Sequence, residues 1–302
     1  MLLLITNSKD ATGDLLVDRL RQKIFRLNYD IFSDYTFDLS LERWEIRSPS
    51  GHSINSENVK SIFWWKAFTN SINHEDPFII EEVKYIFREI YHWGRLRGIT
   101  KGNPHDFHNS LGKISLLKIA SKYFMVPKTL ITKGLSEIHI FDELQTVVAK
   151  SLSSGQTASK KTLLSTKVEK KLLSPKYPWY LQEEIVSESD LTVFICGHQK
   201  FFYAKSRKNL IGIDWRGEQS PDVFKKEWIR FQPSSSFEKA VAEFCNEIKT
   251  NWGRLDLMGD SSTPIFLEFN ANGQWIFLDY SNEDRLVDHV VNYIYPSKAL
   301  PA

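Results

Sequence analysis

Near the end of the chain, three side chains with hard oxygen donors stand at spacings that could bring them to one metal ion. Asp256 lies in Gly-Arg-Leu-Asp-Leu, and Glu268 and Asn270 lie in Phe-Leu-Glu-Phe-Asn. Residues two apart in a strand share a face. Glu268 and Asn270 are therefore expected to project together, with Leu267 and Phe269 turned the other way into a core. If the strand carrying Asp256 pairs antiparallel beside them, two carboxylates and an amide oxygen converge. Such a set suits Mg²⁺, which keeps several waters and takes its remaining ligands from substrate phosphates. Any one of the three alone reads as a polar residue on a solvated sheet face; the set, flanked by Leu, Phe and Trp, points to a metal.

Two further segments could serve a phosphate-bearing ligand. Lys150 ends an apolar strand and enters Ser-Leu-Ser-Ser-Gly; there it is a point charge beside backbone N–H groups, a sensible phosphate clamp. Strand-terminal lysines are common, so this signal is weak by itself. Gln182, Glu183, Glu184 and Ile185 form an extended segment followed by Asp190. Extended backbone can meet an adenine edge, and a carboxylate beyond it can take ribose hydroxyls. Acidic residues after a strand are also simply solvating. No Walker motif and no Gly-x-Gly-x-x-Gly fingerprint after the first strand is present.

Elements that would position these residues follow from periodicity. Residues 2–5 form a strand, and 10–28 form a helix whose stripe is Leu16, Leu20, Ile24 and Leu27. Short strands are expected at 30–37 and 59–65, and a helix follows with Pro77 at its start. Beyond the turn-rich stretch 98–108 come a helix at 109–124, a strand at 129–132, a small helix at 137–143 and a strand at 146–150. Strands at 180–186 and 190–195, a hairpin return at 200–205 and a helix striped by Phe237, Val241, Phe244 and Ile248 come next. Three strands close the chain, at 254–258, 264–270 and 274–278. Segment 156–178 carries six lysines against one acid, Glu169, a run that most often marks a solvated face.

The 302 residues suit two or three domains, and Lys plus Arg at 39 against Asp plus Glu at 37 leaves a net +2. That balance argues against a protein that coats nucleic acid. Two cysteines, Cys196 and Cys245, cannot build a disulfide framework and are compatible with a reducing cytoplasm. The apolar start lacks the basic residues and length of a signal peptide. No stretch approaches the ~20 apolar residues of a membrane span. A cytoplasmic location is expected, with neither nucleic acid nor membrane as partner.

In order along the chain stand Asn109, Lys113, Val126-Pro127-Lys-Thr129, Val148-Ala-Lys150, Gln182-Glu-Glu-Ile185, Asp190-Leu191, Asp214-Trp215-Arg216, Arg254-Leu-Asp256 and Leu267-Glu-Phe-Asn270-Ala-Asn272-Gly-Gln274-Trp275. This order resembles ATP-grasp ligases, specifically the peptide-maturing branch that makes graspetides of the microviridin and grasp-with-spasm types. The resemblance implies an α/β (α+β) chain. A small Rossmann-like pre-ATP-grasp domain would occupy residues 1–100 and the ATP-grasp domain 101–302. Within the latter, a lid-like subdomain would span about 127–186 and a catalytic subdomain about 187–295.

The resemblance also implies roles. Lys113 and Lys150 would hold ATP phosphates. The stretch Gln182, Glu183, Glu184 and Ile185 would receive adenine, and Asp190 the ribose. Asp256, Glu268 and Asn270 would bind Mg²⁺, while Arg216, with Asn272 nearby, would face the phosphoryl group and the substrate carboxylate. Two departures stand out: Asp190-Leu191-Thr192 occupies the place of an Asp-Leu-Arg common among relatives, and Lys66 stands where an arginine is often found. The implied reaction is ATP-dependent joining of Asp or Glu carboxylates to Ser/Thr or Lys side chains in a ribosomal precursor peptide, leader plus core, through an acyl phosphate. The competing reading is an amino-acid or glutamate ligase of the glutathione-synthetase or ribosomal-protein-modifying type. A homodimer fits the resemblance.

Overall fold

In the computed structural model, the structure describes residues 1–66, 72, 74–103, 111–152, 164–210, 212–214 and 227–296. The chain begins with β1 (Leu2–Thr6), buried along its whole length, and a helix, Ala11–Leu20, capped by the Asp10 carboxylate, which accepts from the Thr12 and Gly13 N–H groups. The helix expected over 10–28 stops there. A short 3₁₀ turn, Arg21–Lys23, leads into β2 (Ile24–Asn28), which pairs parallel with β1. Ile24 and Leu27 therefore belong to a strand. The pairing available beside β1 outweighs a helical spacing that those residues share with the helix only by coincidence.

A strand expected at 30–37 is replaced by a 3₁₀ stretch, Tyr29–Asp34, and a small antiparallel sheet of β3 (Thr36–Leu39), β4 (Trp44–Arg47) and β5 (Ser53–Asn55). Next, β6 (Ser61–Trp64) joins β1 on its free side, the helix Pro77–Leu96 follows, and β7 (Thr100–Lys101) completes a parallel sheet of order β2-β1-β6-β7.

The central sheet consists of β8 (Thr129–Thr132), β9 (Thr146–Lys150), β10 (Thr166–Glu169) and β11 (Trp179–Gln182), antiparallel in the order β10-β9-β11-β8. The C-terminal sheet holds β12 (Ser189–Cys196), β13 (Gln199–Ser206), β14 (Ile229–Arg230), β15 (Trp252–Met258) and β16 (Ile265–Asn270), in the order β14-β13-β12-β15-β16. Of the three strands expected at the end of the chain, the third does not form; Ile276–Asp279 is a 3₁₀ turn. Trp275 and Leu278 fill the core from that turn.

Both faces of the C-terminal sheet are covered. Leu191, Val193, Ile195, Leu255, Leu257, Phe266 and Phe269 face a cluster supplied by the helices Lys113–Ala120 and Ser235–Glu247. On the opposite face Phe194, Tyr203 and Trp252 pack against Trp275, the helix Leu286–Ile294, and Leu2, Leu4, Phe63 and Trp65 of the N-terminal sheet. Strand alternation carries that second face along from apolar to polar. On β15 it runs Trp252, Arg254, Asp256; on β12 it runs Cys196, Phe194, Thr192, Asp190. The apolar half is sealed by the N-terminal sheet and the last helix, and the polar half opens into a cleft.

Candidate active site

The cleft is a cavity of about 310 Å³ between the central and C-terminal sheets. Its C-terminal wall carries the three oxygen-donor residues. β15 and β16 pair antiparallel with Asp256 opposite Glu268 and Arg254 opposite Asn270, so the strand pairing on which convergence depended is present. The Asn270 amide nitrogen donates to Asp256 Oδ2 at 2.7 Å and to Glu268 Oε1 at 3.2 Å. The three groups thus meet within hydrogen-bonding distance at one point of the wall. The donor set fits a hard divalent cation. Half a turn of the Asn270 amide would present its Oδ1 in place of the N–H that now bridges the two carboxylates.

Leu267 departs from expectation. A register shift falls between Asp256 and Leu257, so that Leu257 pairs with Phe266. Leu267 is the extra residue of a bulge, and it turns to the cavity beside Glu268; Phe266 and Phe269 take the core positions. Strict two-residue alternation cannot foresee this, because a bulge is set by the partner strand.

Asp256 is held more firmly than sequence reasoning anticipated. Arg254 donates from Nε to Oδ1 and from Nη2 to Oδ2, each at 2.9 Å, and from Nη1 to the Gln274 carbonyl at 2.6 Å. Thr192 Oγ1 adds a donor to Oδ1 at 3.1 Å. Thr192 lies directly across the strand pair from Asp256. A bidentate arginine on a buried strand fixes the orientation of a carboxylate that would otherwise rotate.

The opposite wall comes from the central sheet. Val148 and Lys150 of β9 and Tyr180 and Gln182 of β11 line the cavity, with Lys113 at the start of its helix. Lys113 Nζ lies 5.5 Å from the centre of the Tyr180 ring. Burial, and secondarily the Glu268 carboxylate, raise the Tyr180 phenol well above its usual range, so Tyr180 is a neutral wall. Gln182 is buried and donates from Nε2 to Thr129 Oγ1 at 3.0 Å. Glu183 is tied to the adjoining strand: its N–H donates to the Lys128 carbonyl, and its Oε1 accepts from the Lys128 N–H at 2.8 Å. Glu184 pairs with Lys167 at 2.5 Å. Ile185 completes the segment at the cavity edge. Among the described residues Glu184 and Ile185 make no backbone–backbone hydrogen bond, which leaves their main-chain groups available to a planar heterocycle.

Asp190 opens β12 at the far end of the cavity and is only 7% exposed. Burial pushes its carboxyl above the ordinary carboxylate range, and Arg207, whose Nη1 donates to Oδ1 at 2.7 Å, opposes that rise. Arg207 had no place in the sequence reading; a lone arginine just after a strand carries no local signal. Asp214 lines the cavity and accepts from the Ser165 N–H at 3.1 Å. Trp215 and Arg216 lie outside the described residues. Asn272 sits in the turn after β16, half-buried, outside the cavity lining, with a buried Oδ1 that finds no partner among the described residues. Lys66, at the end of β6, is pulled below its usual range by burial and then by Arg254, with Asp10 opposing.

No family model and no curated protein matches this sequence. Solved structures do match. A RiPP-associated ATP-grasp ligase from Chryseobacterium gregarium, in complex with ADP and a leader and core peptide, superposes with a TM-score of 0.81 at 18% identity over 99% of this chain and 97% of its own. The macrocyclase MdnC from Microcystis aeruginosa, bound with precursor peptide MdnA, gives 0.78 at 21% identity over 99% and 100%. A RimK-domain ATP-grasp protein from Sphaerobacter thermophilus gives 0.55 at 12% identity over 97% and 99%. The chain has the ATP-grasp fold.

Proposed function

We propose that this protein is an ADP-forming ligase that joins Asp or Glu carboxylates to Ser/Thr or Lys side chains within a ribosomally made precursor peptide, using ATP and Mg²⁺. The observation that carries the reading is the meeting of Asp256, Glu268 and Asn270 on one cavity wall, across from the side of Lys113 and Lys150. Two carboxylates and an amide can hold a divalent cation, and two lysines can hold a phosphate chain. The fold supports the peptide reading: chains solved with a leader or precursor peptide match at TM-scores of 0.81 and 0.78, and a RimK-domain protein at 0.55.

Each residue's task follows from its place. Val148 and Ile185 on one side and Met258 and Leu267 on the other offer apolar contact to a purine, while the Glu184–Ile185 backbone meets its edge. Asp190 takes the ribose. Lys113 and Lys150 neutralise the phosphate chain. Asp256, Glu268 and Asn270 would hold Mg²⁺, which supplies charge neutralisation on the transferring phosphoryl group. Arg254 keeps Asp256 turned to that position. A substrate carboxylate attacks the terminal phosphorus of ATP and ADP leaves. A hydroxyl or amine then attacks the acyl phosphate and phosphate leaves, so one water is lost per link. Positioning and charge compensation do this work, and no nucleophile of the protein is needed. Arg216 is proposed to face the acyl phosphate, and Asn272, outside the cavity lining, is given no part in the step.

The test is to incubate the protein, ATP and Mg²⁺ with a short leader-bearing peptide rich in Thr, Glu and Lys, of the kind a neighbouring reading frame would encode. Loss of one water per link with matching ADP release is the expected result. Turnover with free amino acids or glutamate but not with peptide would replace it with the amino-acid-ligase reading.

A further inference from the structure

Asp190 is a buried carboxylate with one oxygen served and one not. Its Oδ1 accepts from Arg207, and its Oδ2 is buried with no hydrogen-bond partner. Lys205 stands opposite Asp190 in the β12–β13 register and its charge favours the carboxylate, but it makes no hydrogen bond to Oδ2; its Nζ is 2.6 Å from Glu227. A charged oxygen removed from water without a donor is costly. Asp190 lines the cavity, so a ligand bound there could bring the missing donor to this oxygen once the covering wall yields slightly.

Arg207 decides which way that oxygen points. Its side chain is 12% exposed, and the guanidinium is fixed at both ends of its fork: Nη1 on Asp190 and Nη2 on the Ile213 carbonyl at 3.1 Å. Its backbone N–H donates to the Glu188 carbonyl at 2.8 Å, so the residue is anchored to the segment that enters β12, two residues before Asp190. The guanidinium presents a rigid planar fork of donors. Asp190 cannot rotate its free oxygen away without breaking this contact.

We propose that Arg207 is the positioning residue for sugar recognition: it locks the Asp190 carboxylate so that Oδ2 accepts from a ribose hydroxyl of the bound nucleotide. This rests on the nucleotide site of the ligase reading and adds to it a residue that never touches the ligand. A site built around a hydroxyl donor rejects an analogue that lacks it, because its own acceptor is left bare.

The experiment is equilibrium binding of MgADP and of its 2′,3′-dideoxy analogue by calorimetry, on the whole chain. Wild-type protein is expected to bind the dideoxy nucleotide about tenfold to a hundredfold more weakly, the size of a hydrogen bond to a charged acceptor. In Arg207→Met that ratio collapses to about threefold or less, while Arg207→Lys, which keeps the charge but not the fork, retains part of it. Should Arg207→Met not fold, Arg207→Gln, which can still donate to Ile213, carries the same comparison. A full ratio in the Met or Gln variant overturns the proposal, as does a wild-type protein that binds both nucleotides equally. A wild-type protein that binds neither would instead overturn the nucleotide site itself.

Discussion

The C-terminal sheet and the central sheet line the same cavity but are built differently. The C-terminal sheet has strands of seven and eight residues at its centre and an apolar cluster on each face. The central sheet has strands of four and five residues, and its buried core is Phe141, Val147, Leu173 and Leu181. Its outer strand β10 is largely exposed and flanked by Lys170 and Lys171. The difference separates two tasks. Groups that must meet within hydrogen-bonding distance sit on the thick sheet, where alternation and two cores fix them. Groups that need only supply charge and a wall, Lys150 and Tyr180, sit on the thin one, where local opening is cheaper.

The sharpest break is chemical. Glu268→Gln and Asn270→Ala are each expected to cut turnover about a thousandfold or more, since several kcal/mol of charge stabilisation on the phosphoryl group is lost. The melting temperature should stay near wild type. Turnover close to wild type in both variants would remove these residues from the site.

Packing gives a middle-sized contrast. Phe244 is fully buried against Phe124, Phe266 and Phe269, so Phe244→Ala should cost about 3–5 kcal/mol and lower the main thermal transition. Leu181→Ala, in the small core, should instead raise the KM for ATP and shift that transition much less. Equal shifts, read by calorimetry, would mean that the two sheets unfold as one unit.

The smallest effect is at Lys66, where the N-terminal sheet meets Arg254. Burial pulls its ammonium below the ordinary lysine range in the folded protein. Between that lowered value and the ordinary lysine value of 10.5, the unfolded chain binds more protons, so stability rises with pH across the window. Below it, the buried charge is a standing cost. Lys66→Met should therefore raise the melting temperature at neutral pH and flatten its rise toward alkaline pH. An unchanged pH profile would show that Lys66 is solvated.

Legibility followed the kind of information each feature needs. The trio of Asp256, Glu268 and Asn270 was readable because strand alternation is local; only the antiparallel partner had to be supplied. Helix Pro77–Leu96 and β9 were readable from a proline start, an apolar stripe and an apolar run ending in Lys150. Ile24 and Leu27 were misread as helical, because their spacing suits both structures and β1 decides between them. The hairpin of β4 and β5, β10 and the last helix, Leu286–Ile294, carried patterns that were passed over.

By itself, the sequence determined the element types where period and punctuation agree, the order of those elements, and, away from the bulge of β16, which residues of a strand share a face. All of that is written in neighbours a few positions apart. Only the tertiary structure decided the bulge that turns Leu267 into the cavity, the clamp of Arg254 on Asp256, and the pairing of Arg207 with Asp190. Each depends on which strand lies beside which and in what register, and that is settled by burying apolar surface from segments far apart in the chain.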